Sequence, residues 1–104
     1  MLSSNSRMDD TTPLEFYLSQ NYPNPFKEKT VIKYCVAYKT RVQITVYNSE
    51  GEEIEKLVDE EKKPGTYEVV FQSAVDSRQL AIGDYFSRLQ AGDYRSEKRM
   101  QLIK

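Results

Sequence analysis

Short runs in which apolar and polar residues alternate recur along the chain from Thr30 onward. The runs are "TVIKYCV", "RVQITVY", "YEVVF", "DYFSRLQ" and "KRMQLI". Turn residues separate them about every 8–12 positions, which is typical of an all-β sandwich or barrel. Because successive side chains of a strand point to opposite faces, one face of each run can pack in a core. We therefore predict a two-sheet antiparallel β-sandwich of about seven strands. Its predicted core contains Val42, Ile44, Val46, Val69, Phe71 and Leu89.

The acidic stretch "SEGEEIEKLVDEEKK" fits two kinds of secondary structure. Asn48 and Gly51 are typical turn residues, so the segment after them can return as a strand alongside "RVQITVY". Alternatively, the spacing of Ile54, Leu57 and Val58 suits one stripe of a helix. Glycine weakens a helix near its start, and the flanking runs all have strand character. The strand is therefore the favoured interpretation.

Glycine followed by a tyrosine two positions later occurs in "GTY" at Gly65 and in "GDY" at Gly83 and Gly92. Each unit precedes a run with strand character, as expected for a turn that ends in glycine. The last two units predict a closing hairpin at the end of the chain. Its strands are expected at Tyr85–Gln90 and Tyr94–Ile103, with a turn at Ala91–Asp93 between them.

The stretch "QNYPNPF", which we call the proline segment, contains Gln20, Asn21, Tyr22, Pro23, Asn24, Pro25 and Phe26. Proline fixes its own φ, lacks an N–H group and disfavours helix in the residue before it. Two prolines this close also make a poor central strand. We therefore predict a rigid ribbon along a sheet edge. Its aromatic residues, Tyr22 and Phe26, are expected to insert into one end of the sandwich.

Composition excludes several classes of function. The net charge of −1 gives no general attraction to nucleic acid or anionic lipid. No stretch has the length and apolarity of a signal peptide or membrane span, so we expect a soluble chain, either cytosolic or part of a larger exported precursor. Histidine is absent and Cys35 is the only cysteine, which removes the commonest general base and a disulfide. Cys35 is either a buried small apolar residue or an exposed thiol on the face opposite Ile32, Tyr34 and Val36, and we favour the buried structural thiol.

Charge is distributed in two opposite clusters. From Glu50 to Glu61, seven carboxylates stand against one lysine, a net charge of −6. We expect this cluster to be a solvated hairpin face without a metal, because it lacks the ligand spacing of a calcium loop. From Tyr94 to Lys104, four cations stand against Glu97, a net charge of +3. Such cations can protect an edge strand from aggregation or can dock a partner.

The order of the motifs resembles one known family. "LSQNYPNPF", "TVIKYCV", "VQITVYNSEGEEIEKLV", "PGTYEVVF", "DYFSRLQAGDY" and "EKRMQLIK" resemble the type A C-terminal sorting domain of the Por, or type IX, secretion system. They are also similar to the immunoglobulin-like domain of flagellar hook-capping proteins. The likeness extends from Leu18 to Lys104. Departures from the family pattern fall at turns or preserve an aromatic residue, as with Phe71 in place of tryptophan.

The resemblance implies an immunoglobulin-like sandwich at residues 18–104, with residues 1–17 as a linker or a non-native remnant. It implies a module without catalytic activity, metal or cofactor, which directs an attached cargo protein through the outer membrane. The cargo is then anchored at the surface or released. The sorting signal, which we call the address, is expected near the C-terminus. The matching residues are Gly92, Tyr94, Lys98, Arg99, Met100, Leu102, Ile103 and Lys104.

Two functions remain open from the sequence. The first is this sorting module, whose partners are the outer-membrane secretion machinery and the covalently preceding cargo. The second is a stand-alone immunoglobulin-like module that binds a carbohydrate or a protein during assembly. Neither requires nucleic acid or insertion of the domain into a membrane. Exposed strand edges also allow an edge-paired homodimer.

Overall fold

The computed structural model describes residues 13–75 and 78–104. Within these residues the secondary structure is entirely β, and no helix could span a membrane. Most of the predicted leading segment, residues 1–12, lies outside the described residues. The strands are β1 (Tyr17–Leu18), β2 (Lys29–Val36), β3 (Thr40–Asn48), β4 (Glu53–Lys62), β5 (Gly65–Gln72), β6 (Ala74–Val75), β7 (Arg78–Gln79), β8 (Gly83–Ala91) and β9 (Tyr94–Leu102).

Seven of the described strands form two antiparallel sheets. One sheet has the order β1-β2-β5 and the other has the order β4-β3-β8-β9, while β6 and β7 form a separate small hairpin. The predicted antiparallel sandwich of about seven strands is therefore confirmed, and it is consistent with the immunoglobulin-like fold. The closing hairpin is also present, with β8 paired to β9 from Gly83–Leu102 to Ala91–Tyr94.

The core lies between the two sheets and follows from the alternation in the sequence. Of the six residues predicted for it, five are fully buried, while Val69 is partly buried and packs against the others. Both sheets contribute to one apolar cluster. Its buried members are Leu18, Phe26, Ile32, Tyr34, Val36, Val42, Ile44, Val46, Val58, Phe71, Tyr85, Leu89, Ala91, Met100 and Leu102.

The acidic stretch is a strand, β4, and two bulges explain its helix-like spacing. Opposite β3, Ile44 pairs with Val58 but Thr45 pairs with Lys56, and Val46 pairs with Glu55 but Tyr47 pairs with Glu53. Leu57 and Ile54 are the extra residues at these two shifts. A bulge places two residues of one strand against one of its partner. The two bulges therefore account for the spacing of Ile54, Leu57 and Val58, which regular alternation along a strand does not produce.

The turn before β4 depends on Asn48. Its side-chain oxygen Oδ1 accepts hydrogen bonds from the backbone N–H groups of Glu50 and Glu52, each at 2.9 Å. Gly51 has a φ of 86°, in the region that residues with a side chain rarely adopt. The turn therefore forms as the sequence predicts.

The prediction that Cys35 is a buried structural thiol is wrong. On β2 the side chains of Ile32, Tyr34 and Val36 face the core and are buried. Cys35 alternates with them, so its side chain lies half-exposed on the outer face of the sheet. There its Sγ lies 3.7 Å from Oγ1 of Thr66 on β5. The larger apolar residues take the inward row and leave the small thiol outside.

Candidate functional site: the edge of the last strand

Strand β9, which holds most of the predicted address, is an edge strand of the four-stranded sheet. Its residues alternate strictly, and its pairing with β8 has no bulge. Met100 and Leu102 face the core and are buried, whereas Arg99 and Gln101 face solvent. The sheet thus anchors the strand by its apolar row and leaves one side of its main chain without a neighbouring strand.

The first two predicted address residues have structural roles at the beginning of β9. Gly92 has a φ of 58°, and a Cβ atom added there would lie 3.0 Å from the hydroxyl of Tyr38. The ring of Tyr94 stacks on Phe16 at 5.7 Å, and Phe16 meets Tyr38 edge-on at 4.9 Å. These residues close one end of the sandwich, so turn geometry and packing account for both of them.

The predicted pair of cations is divided between the two faces of β9. Lys98 lies in the inward row opposite Ser87 and is half-buried, which is a known way of protecting an edge strand. Arg99 lies on the outer face opposite Phe86, with Nη1 3.8 Å from the carboxylate of Asp84. A flat partner surface that contacts Arg99 on the outer face therefore cannot contact Lys98 in the same way.

The last two residues of the predicted address lie at the C-terminal end of β9, beside an open groove. Ile103 and Lys104 follow the strand and are exposed. Together with Leu102, Lys27 and the exposed Ile82 they line a groove of about 620 Å³. Ile82 was not predicted as a site residue. Its position outside the alternating runs was the sequence signal that could have indicated an exposed apolar residue.

The proline segment runs along the C-terminal half of the β9 edge. Nε2 of Gln20 donates to the carbonyl of Arg99 at 2.6 Å, and the N–H of Gln101 donates to Oδ1 of Asn24 at 3.0 Å. The backbone of Phe26 then forms a parallel bridge with Leu102. In that bridge the N–H of Phe26 donates to the carbonyl of Gln101, and the N–H of Ile103 donates to the carbonyl of Phe26, both at 2.9 Å.

The segment thus lies along a sheet edge, where Tyr22 and Phe26 form isolated backbone bridges. Because prolines donate no hydrogen bond, the side chains of Gln20 and Asn24 provide part of the contact. The Tyr22–Pro23 and Asn24–Pro25 peptide bonds are both cis. Sequence reasoning did not assign a site role to Gln20. The long amide side chain at the first position of the proline segment was the available signal.

Of the two aromatic residues in the segment, only Phe26 inserts into the sandwich. Its side chain is buried, and its ring centroid lies 6.0 Å from that of Phe71. Tyr22 is 80% exposed, so its predicted insertion is wrong. The backbone of Tyr22 pairs with Val31, and alternation then directs Asn21 inward and Tyr22 outward. Asn21 is buried, and its Nδ2 donates to the carbonyl of Pro23 and to Oγ1 of Thr30.

The N-terminal half of the β9 edge is not covered in the same way. Gln101 directs both its N–H and its carbonyl towards the proline segment, so the main chain of Arg95, Glu97 and Arg99 must point to the same side. Among residues 13–75 and 78–104, only the carbonyl of Arg99 within this set has a hydrogen-bond partner. We call the remaining groups the open edge.

The other edge of this sheet, β4, has the opposite charge. Five carboxylates stand against two lysines between Glu53 and Lys62. The hydrogen bond from Gln43, and then that from Arg41, lower the pKa of Asp59. The hydrogen bond to Glu60 raises the pKa of Lys62. Within the described residues no three acidic or sulfur side chains are placed to hold a metal ion.

The fold and this edge define a class: an immunoglobulin-like β-sandwich that presents its last strand at a sheet edge. A family model described as "Secretion system C-terminal sorting domain" matches residues 20–104. The chain therefore belongs to this family, the sorting domains of the type IX secretion system. Such domains are C-terminal parts of precursors that this system exports to the cell surface or releases, and they direct that export.

A comparison with solved structures agrees on the fold. The crystal structure of dimeric latent PorU from Porphyromonas gingivalis is similar, with a TM-score of 0.66 and 13% sequence identity. The similarity covers 95% of this chain and 10% of that chain, so the chain spans about a tenth of the length of PorU. Among curated protein sequences, none matches the chain.

Proposed function

We propose that residues 18–104 form a non-catalytic sorting module whose address is the C-terminal part of β9 with Ile103 and Lys104. Cargo precedes the module, and residues 1–15 serve as the connection, because Phe16 and Tyr17 pack with the sandwich. The partner is the outer-membrane part of the secretion machinery. The observation that supports this proposal is that β9 is an edge strand on which Arg99, and after it Ile103 and Lys104, are exposed.

The arrangement separates the address from the features that hold the fold. Met100 and Leu102 are buried, so they fix the strand in the core. Ile103 and Lys104 add little to that packing and lie beside the groove next to Ile82. A partner could insert an apolar residue into this groove and place a carboxylate near Lys104. It would then recognise side chains that contribute little to the stability of the sandwich.

The test is a reporter with its own signal peptide, fused to residues 13–104 so that Phe16 and Tyr17 are kept, in a host with the type IX machinery. We expect surface delivery of the full fusion and periplasmic retention of a fusion that ends at Leu102. Truncation after Leu102 removes no buried side chain but loses the hydrogen bond from Ile103 to Phe26, so denaturant unfolding must verify that the shorter fusion is folded. A full fusion that remains in the periplasm would contradict the sorting role. A truncated fusion that is delivered equally well would move the address elsewhere.

The charge requirement needs a matched control. Lys98→Gln with Arg99→Gln removes two cations from β9, and Lys29→Gln with Lys63→Gln removes two from exposed positions elsewhere. We expect only the β9 variant to lose delivery, with both variants unfolding at the same denaturant concentration. Equal delivery of the two variants would exclude a role for the β9 cations in recognition.

An edge-paired homodimer is a second candidate, and β5 is the edge that favours it. The N–H of Ser73 donates to Glu28, so odd residues of β5 face β2 and even residues direct their main chain outward. Val70 on that edge is 48% exposed. Sedimentation velocity at increasing concentration should reveal the dimer, and Val70→Lys should abolish it. A monomer at every concentration would refute this candidate.

A further inference from the structure

The open edge offers a row of unpaired main-chain groups of defined length. The N–H and carbonyl groups of Arg95 and Glu97 and the N–H of Arg99 point away from β8 and have no partner among the described residues. The row ends at the carbonyl of Arg99, which Gln20 occupies. Unpaired groups along a strand are the template to which an extended segment adds as a further strand.

The side chains on this row give the open edge a positive charge. Glu97 is already neutralised, because its Oε1 lies 3.0 Å from Nη2 and 3.2 Å from Nε of Arg88 on β8. Arg95 has no ion-pair partner within residues 13–75 and 78–104. Arg99 has only the exposed 3.8 Å contact with Asp84. All three side chains of the row lie on the outer face of the sheet.

We propose that the open edge binds an extended acidic segment of a partner protein as an added β-strand, with two carboxylates four residues apart opposite Arg95 and Arg99. The residue between them lies opposite Glu97 and carries no acid. Directly opposite side chains of paired strands lie on the same face, so this spacing sets the register. The inference rests on the proposed role of β9 as the recognised strand and specifies the chemistry of its partner.

Charge distinguishes the open edge from the other edge of the same sheet. An acidic segment at β4 would meet carboxylates, since five of them stand against two lysines there. The proline segment blocks the continuation beyond Arg99, so the added strand is short. A short strand with two exposed ion pairs binds weakly and reversibly.

Binding is tested with the purified chain and the peptide Thr-Val-Glu-Thr-Val-Thr-Glu-Val-Thr. In the free protein the amides of Arg95, Glu97 and Arg99 should exchange quickly, while those of Lys98 and Met100, which bond to β8, should exchange slowly. Saturating peptide should slow exchange at the three open-edge amides by about tenfold or more. Unchanged exchange at these amides would overturn the proposal.

Two altered peptides separate strand addition from simple charge attraction. Thr-Val-Glu-Thr-Val-Glu-Thr-Val-Thr has the same composition but places its glutamates on opposite faces of a strand. The second peptide is N-methylated at the valine between the two glutamates, which removes a main-chain donor. We expect both to bind about fivefold more weakly or worse. Binding equal to that of the first peptide, in either case, would overturn the added-strand geometry.

Charge reversal on the protein gives the reciprocal test. Arg95→Glu with Arg99→Glu should weaken binding about tenfold, and a peptide with lysines in place of its glutamates should restore it. The control, Lys29→Glu with Lys63→Glu, changes the net charge equally and should leave binding unaltered. Slow exchange at Met100 verifies that each variant is folded. Equal weakening in the control would overturn the proposal.

The outcomes also separate this inference from the sorting role. If the reporter is delivered but the peptide does not protect the open edge, the sorting role stands and strand addition fails. If the peptide binds in the stated register but the reporter is retained in the periplasm, the open edge is a binding site and the sorting role fails.

Discussion

At the scale of single residues, the inward rows of the strands should determine stability. Ile44 is fully buried in the centre of the core, and Ile44→Ala should lower the free energy of unfolding by about 2–5 kcal/mol because it leaves a cavity. Val70 on the solvent side is the control, and Val70→Ala should change the free energy of unfolding by about 0.5 kcal/mol or less. Denaturant titration measures both values, and equal losses would refute the assignment of the core.

Gly92 provides a second test at this scale. An alanine there must adopt a φ of 58° and approach the Tyr38 hydroxyl to 3.0 Å, so Gly92→Ala should cost about 1–3 kcal/mol. Tyr38→Phe removes the hydroxyl, and the cost of Gly92→Ala should be smaller in that background. Equal costs in both backgrounds would assign the whole effect to the backbone.

At the scale of elements, the proline segment and β9 should be energetically coupled. Oδ1 of Asn24 is the acceptor for the N–H of Gln101. Asn24→Ala should therefore speed exchange of the Gln101 amide and cost about 0.5–1.5 kcal/mol. Asn24→Asp keeps the acceptor and should retain protection. The Met100 amide, bonded to β8, is the internal reference. A Gln101 amide that stays protected in Asn24→Ala would show that this hydrogen bond does not hold the edge.

The long strands could be predicted from the sequence, but the features that depend on strand pairing could not. Alternation predicts the long strands and their inward rows, because burial of one face is a property of each strand alone. Other outcomes depend on a neighbour. Bulges at Ile54 and Leu57 arise from pairing with β3, and the exposure of Tyr22 arises from pairing with Val31. Composition does not encode such registers, so the contacts of the proline segment with β9 required the structure.

The address residues illustrate the same division. The sequence places them together because they are consecutive, but the sheet distributes them over two ends and two faces. Gly92 and Tyr94 pack near Tyr38 and Phe16, whereas Ile103 and Lys104 lie beside the groove at the far end. Lys98 and Arg99 point to opposite faces of β9. A recognition role for all of them remains a prediction, and only the exposed members can contact a partner directly.

At the scale of the whole molecule, the two chain ends of the sandwich lie far apart. Phe16 stacks near the beginning of β9, and the chain then runs parallel to β9 as far as the bridge between Phe26 and Leu102. The length of β9 sets a separation of about 25–30 Å. Spin labels at Leu14→Cys and Lys104→Cys, in a Cys35→Ser background, should report at least this distance. A distance below about 15 Å would refute the parallel arrangement.

This parallel arrangement determines how the molecule responds to mechanical force. If machinery pulls on the C-terminus while the cargo resists at the other end, the proline segment and β9 are drawn in opposite directions along their own axes. The four hydrogen bonds between them are then loaded in shear and must break together, whereas a hairpin pulled from its open end unzips one bond at a time. The sandwich can therefore remain folded under tension that would unravel the terminal strand of a differently connected domain.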